Sequence, residues 1–207
     1  MSGQRTPFQR LRGASARSKP GHEVRFWSAI LVALAVVIHG WYAPSFEARV
    51  GVPLLPSDAS LHPAQLLERI AAYGAAGRRA YVAYLSLACL LSVAGSLLLQ
   101  RLYEAMVDPR ERSVSASRRL TLLAALPALC DLVENTLQAL LATLYPSAAV
   151  ALAWVAYVVT MLELGSVAVA LLALAALAAG WLRRRVQARS RARARYWEPP
   201  EPHQTLP

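Results

Sequence analysis

The sequence predicts an all-α protein, a four-helix transmembrane bundle with a short amphipathic helix in its first loop. Three observations carry that reading. The 207-residue chain is 56% hydrophobic yet has a formal net charge of +10, which suits a folded chain only if apolar and basic residues are segregated. They are segregated. The 21 residues between Arg25 and Glu47 and the 21 between Arg79 and Arg101 contain no Asp, Glu, Lys or Arg. Over 120–144 the only charges are Asp131 and Glu134, and over the 36 residues 147–182 the only one is Glu163. Spanning the hydrocarbon layer takes ~20 apolar residues, so four spans are predicted. Third, the basic residues alternate by side. Eighteen lie in the N-terminal tail, the second loop and the C-terminal tail, against four (Arg49, Arg69, Arg78, Arg79) in the first loop. The positive-inside rule then places both termini in the cytoplasm, or in the matrix or stroma for an organelle protein.

Residues 1–24 are polar and basic, and a disordered tail is expected. Their Arg- and Ser-rich composition, without an acid before Glu23, also suits a transit peptide. The first apolar stretch ends in His39-Gly40-Trp41-Tyr42 rather than a small-residue cleavage site, so an uncleaved signal anchor is expected. Span one is predicted over 25–42, with Trp27 at one interface and Trp41-Tyr42 at the other. The first loop carries Pro44, Pro53 and Pro56, then an amphipathic helix over 61–73 capped by Ser60 and stopped by Gly74. Leu66, Leu67, Ile70 and Tyr73 form its apolar face, which suits the membrane interface or a cap on the bundle.

Span two is predicted over 79–103. Ser86, Cys89, Ser92, Ser96 and Gln100 fall within about a third of its circumference. With Ala94 and Gly95, these small residues read first as a close-packing face. Cys89 and Cys130 both lie inside spans, and no cysteine spacing suggests disulfides or zinc. Span three is predicted over 117–145, with Pro127 removing a backbone donor and bending it. Pro146-Ser147 makes a tight turn into span four, 147–182. That span would be ~54 Å long against ~30 Å of hydrocarbon, so its Ala-rich end, 171–180, is expected to leave the core or tilt. Trp181 and Arg183-Arg184-Arg185 mark the wet end. In the Arg-rich tail, 183–207, each Arg is expected to contact anionic headgroups at about 1 kcal/mol. Nucleic acid is not expected as a partner.

The chemistry is concentrated in span three. Asp131, Asn135 and Gln138 recur at i, i+4 and i+7, one face of a helix, with Glu134 beside them. A carboxylate at this depth costs roughly 2.5–3.5 kcal/mol on insertion scales, so the stripe must face the bundle interior. Measured from the turn at Pro146, Asp131 lies ~21 Å along its helix and Glu163 ~24 Å along the next. Asp131, Glu134, Asn135, Gln138 and Glu163 therefore form the candidate polar cluster. Three carboxyl groups with no Lys or Arg in the apolar stretches 26–46, 80–100, 120–144 and 147–182 cannot all be charged at low cost. Glu163 is expected to be neutral and to donate to a neighbouring carboxylate or to Asn135. His39 suits an interfacial position better than a proton relay towards Glu134. No metal-ligand spacing, phosphate loop or nucleophile elbow is present, and no cofactor or metal is expected.

Three motifs resemble a family of small four-span membrane proteins of unknown function. They are Gly74-Ala75-Ala76-Gly77-Arg78-Arg79-Ala80-Tyr81, Asp131-Leu132-Val133-Glu134-Asn135 and Thr160-Met161-Leu162-Glu163. The resemblance covers about residues 60–180 and implies the same four-span fold. Ala88 stands where the family often has Asp, and Glu163 stands where it has Lys. The resemblance carries no activity. Two functions are therefore expected from different classes. One is a non-catalytic bundle, monomeric or homo-oligomeric, with a buried polar stripe. The other is a small membrane enzyme or a lipid- or sterol-binding protein with a central acidic cavity.

Overall fold

The computed structural model describes residues 20–54, 62–107, 113–147 and 149–196. The elements are α1 (Pro20–Ala35), a π-helical segment (Val36–Tyr42), α2 (Ala43–Val50), α3 (Pro63–Ala72), α4 (Gly74–Met106), α5 (Val114–Leu144) and α6 (Ala149–Tyr196). The described residues contain no strand. Four helical stretches are long and apolar enough to cross a membrane: Gly21–Val50, Gly74–Met106, Val114–Leu144 and Val150–Arg191.

The first stretch does not stop at Tyr42, as the sequence suggested. Pro44 has no N–H for the helix ladder, and the helix widens just before it. Ala43 N–H bonds Ile38 O, five residues back, the i→i+5 pattern of a π-helix. The turn beyond Pro44 then continues to Val50 and ends at Gly51, whose φ of 75° closes the last turn through a 2.8 Å bond to Glu47 O. Only a residue without Cβ takes that conformation cheaply.

The amphipathic helix is present, capped differently. His62 Nδ1 accepts from Ala64 N at 3.3 Å, and Pro63 fills the first turn. Ser60 lies outside the described residues, as does the N-terminal tail up to residue 19. Leu66, Ile70 and Tyr73 are buried and Leu67 half-buried. The helix folds over one end of the bundle, its His62 ring against Trp154 and Tyr157 of α6. Tyr73 packs edge-on against Phe46 of α2, with ring centroids 5.0 Å apart, and lies beside Tyr81 of α4. Tyr42 seals the same end by donating to Ala80 O at 2.6 Å.

α4 starts at Gly74, not Arg79, because Gly74 takes a φ of 61° and reverses the chain in place. Gly77 then lets α2 approach. A Cβ there would sit 2.9 Å from Val50 Cγ1 and 3.0 Å from Tyr73 Cβ. Overpacking of this kind costs about 1–3 kcal/mol, so Gly77→Ala is expected to lower the thermal midpoint in detergent. An unchanged midpoint would show that α2 yields freely.

α5 begins at Val114 and is capped by Ser113, whose side chain accepts from Ala116 N at 3.1 Å. Pro127 sits inside it without ending it. α6 is one helix of 48 residues that runs on past Leu182 to Tyr196, ~72 Å at 1.5 Å per residue. α1 packs on α4, α4 on α5 and α5 on α6, with a lighter contact between α4 and α6. The outward faces are bare apolar side chains such as Leu90, Leu129, Val133 and Leu162. A patch of that extent is not sustained in water, whereas lipid solvates it. The chain is a multi-pass, all-α membrane bundle.

Candidate functional site

The middle of the bundle holds a polar layer built from three helices. On α5, Asn135 Nδ2 donates to Asp131 Oδ2 at 2.6 Å, and Gln138 Nε2 donates to Glu134 Oε1 at 2.6 Å. Both are i,i+4 pairs, so helical geometry alone brings them together. They tie the stripe into two linked carboxyl–amide units.

α4 supplies the cross-helix donors. Ser92 Oγ donates to Asp131 Oδ2, and Tyr81 OH donates to Gln138 Oε1. Ser96 Oγ donates to Ala124 O at 2.8 Å. That carbonyl neighbours the one whose helical amide partner Pro127 removes. Asn135 also reaches the Cys89 thiol. α6 contributes Glu163, whose carboxyl is in hydrogen-bonding contact with Glu134 and lies near Asp131.

Asn135 is buried, while Asp131, Glu134, Gln138 and Glu163 are half-buried. The structure thus brings all five residues of the predicted stripe into one layer. Glu163 lies near both Glu134 and Asp131. Of the α4 face, Ser92, Ser96 and Cys89 reach α5, so they do more than pack closely. Ser86 bonds its own helix at Val82 O, and Gln100 bonds Glu104. His39 is exposed on the π-helical segment.

Tyr81 was not anticipated as a partner. The signal was the antiparallel register of α4 and α5. The pairs Tyr81–Gln138, Ser92–Asp131 and Ser96–Ala124 step up one helix as they step down the other. One known contact would have given the others.

Among the described residues, no three His, Cys, Asp or Glu side chains are arranged to share a metal ion. The two α5 carboxyl groups take Ser and amide donors. Comparison with family models, curated proteins and solved structures finds no match to this chain.

Proposed function

We propose that this chain is a non-catalytic integral membrane bundle whose polar layer locks α4, α5 and α6 together. One observation carries the reading: the acids of α5 already have side-chain donors. Ser92 and Asn135 serve Asp131, and Gln138 serves Glu134. In hydrocarbon an unmade hydrogen bond has no water to replace it, and such contacts contribute about 0.6–2 kcal/mol each to helix association. The likeness to small four-span membrane proteins is part of this reading.

Both termini are assigned to the cytoplasmic side or its organelle equivalent. The end of the bundle that holds Arg25, Arg101, Arg118, Arg119 and Arg183 is the more basic one. Arg183, Arg185 and Arg119 are exposed there and suit anionic headgroups at about 1 kcal/mol each.

A second reading rests on the half-exposure of Asp131, Glu134 and Glu163, which leaves the acids within reach of a lipid or sterol hydroxyl. Native mass spectrometry of the purified protein separates the two. A structural layer is expected to give no stoichiometric ligand that depends on Asp131. A bound lipid or sterol that disappears in a folded Asp131→Ala variant would replace the structural reading with the binding one.

A further inference from the structure

A polar stripe runs along α4 from the buried layer to the basic end of the bundle. Ser92, Ser96, Gln100 and Glu104 recur every four residues, and all four are half-buried. α5 answers with polar groups along the same seam. Ser92 donates to Asp131, and Ser96 donates to Ala124 O. Pro127 supplies no N–H to the neighbouring Leu123 carbonyl. Gln100 and Glu104 share a cleft of about 190 Å³ with Ser117, Leu120 and Thr121. Ser117 and Thr121 are exposed at its mouth.

On the other side of the layer α4 and α5 are packed dry. Tyr81, Tyr84, Leu85, Leu141 and Ala142 are all buried there in one apolar cluster. Tyr84 stacks on Tyr81 with ring centroids 5.9 Å apart, and Tyr73 lies 5.4 Å from Tyr81. The hydroxyls at that end are bonded within the protein, Tyr81 to Gln138, Tyr73 to Pro53 O and Tyr42 to Ala80 O. The two ends of the seam are therefore unlike, one polar with a cleft and the other closed by aromatic rings.

We propose that the α4–α5 seam is a single-file water path, open at the basic end and closed at the other, that joins Asp131 to one compartment only. Each four-residue step of the stripe rises ~6 Å, about the span of two hydrogen bonds through one bridging water. The cleft at the mouth is polar and holds several waters. The path stops at Ser92 and Asp131, because Asn135, one turn further, is buried. Any proton that Asp131 gains or loses passes by the basic end. Asp131 is faced by Glu134 on its own helix, Cys89 on α4 and Glu163 on α6. Glu104 stands at the mouth with Arg101, which also pairs with Glu23 of α1. The path goes beyond the structural reading, since Ser92 and Asn135 hold Asp131 whether or not water arrives.

Single thiols test the path in the full chain carrying Cys89→Ala and Cys130→Ala. Ser92→Cys and Ser96→Cys place the thiol in the seam, and Leu90→Cys, 56% exposed on the lipid face, is the control. Silver ion, small enough for a single-file path, is added to one side of sealed vesicles, and the thiols left free are then counted. Trypsin cleavage at the exposed Arg189 and Arg191 identifies vesicles with the basic end outward. Both seam thiols are expected to react several-fold faster from the basic end than from the other side, and several-fold faster than the control. Adding Ser96→Leu to Ser92→Cys should slow that reaction several-fold. Equal rates from the two sides, no reaction at either seam position, or rates no higher than the control would overturn the path. So would a folded Ser96→Leu chain that left the Ser92→Cys rate unchanged. Sidedness at Ser92→Cys and Ser96→Cys is read without that third change, so its failure to fold leaves the test decisive.

Discussion

Asp131→Ala is expected to weaken helix association by about 2 kcal/mol, the order of leaving one buried donor unsatisfied. Two donors lose their acceptor, but unequally. Asn135 is 7% exposed and has no water to turn to. Ser92 is half-buried and can turn back to its own helix, as Ser86 does to Val82 O. Removing an acid also eases membrane insertion, but that gain belongs to the inserted, unassociated helix as much as to the bundle. Thermal unfolding in mild detergent reads the association step. A fall of roughly 4–8 °C is expected for a chain of this size. Asp131→Asn keeps an acceptor oxygen and should lose less than half as much. If both variants fell equally, the carboxylate charge rather than its hydrogen bonds would be the stabilising element. An unchanged midpoint for Asp131→Ala would contradict the structural role.

Glu163→Lys is expected to act in the opposite direction. Glu163 faces Glu134 and lies near Asp131, and the charge-free stretches contain no Lys or Arg to offset them. An ammonium at ~4 Å from a carboxylate gains about 4 kcal/mol at an effective dielectric constant near 20. Desolvating the ammonium takes back a large part, and a net stabilisation on the order of 1–2 kcal/mol is expected after that offset. Glu163→Gln keeps a donor for Glu134 and should stay within about 1 kcal/mol of the parent, the scale of one net hydrogen bond. Side-by-side melts of the three proteins decide the matter. A marked loss in Glu163→Gln would mean that the acid itself is needed. A Lys variant less stable than the parent would mean that the neighbouring carboxyl groups are not available as anions.

The spans were legible because hydrocarbon imposes a single strong rule, a charge-free run long enough to cross it. The apolar face of α3 was legible for a similar reason, since Leu66, Ile70 and Tyr73 share one side at helical spacing. The ends were not. Hydropathy marks where a helix leaves lipid, not where its hydrogen bonding stops. α4 therefore begins at Gly74, beyond the charged Arg78-Arg79 pair, and α6 runs on through its arginines. Pro44 suggested a break, and the π-helical widening ahead of it could not be read from residue type. Within the site, i,i+4 spacing on one helix revealed the stripe of Asp131, Asn135 and Gln138. The roles of Ser92 and Tyr81 depend on the register between two helices, which no single helix encodes.

On the proposed reading, side chains on neighbouring helices stabilise the acids of α5 by direct hydrogen bonds. A double-mutant cycle between Ser92 and Asp131 tests it most directly, because these two residues join α4 to α5. Unfolding free energies would be measured in one detergent for the parent, Ser92→Ala, Asp131→Ala and the double variant. A coupling of about 0.6–1.7 kcal/mol is expected, the range of interhelical hydrogen bonds within membranes. Losses that add with no coupling would show that the Ser92–Asp131 contact does not hold the helices together.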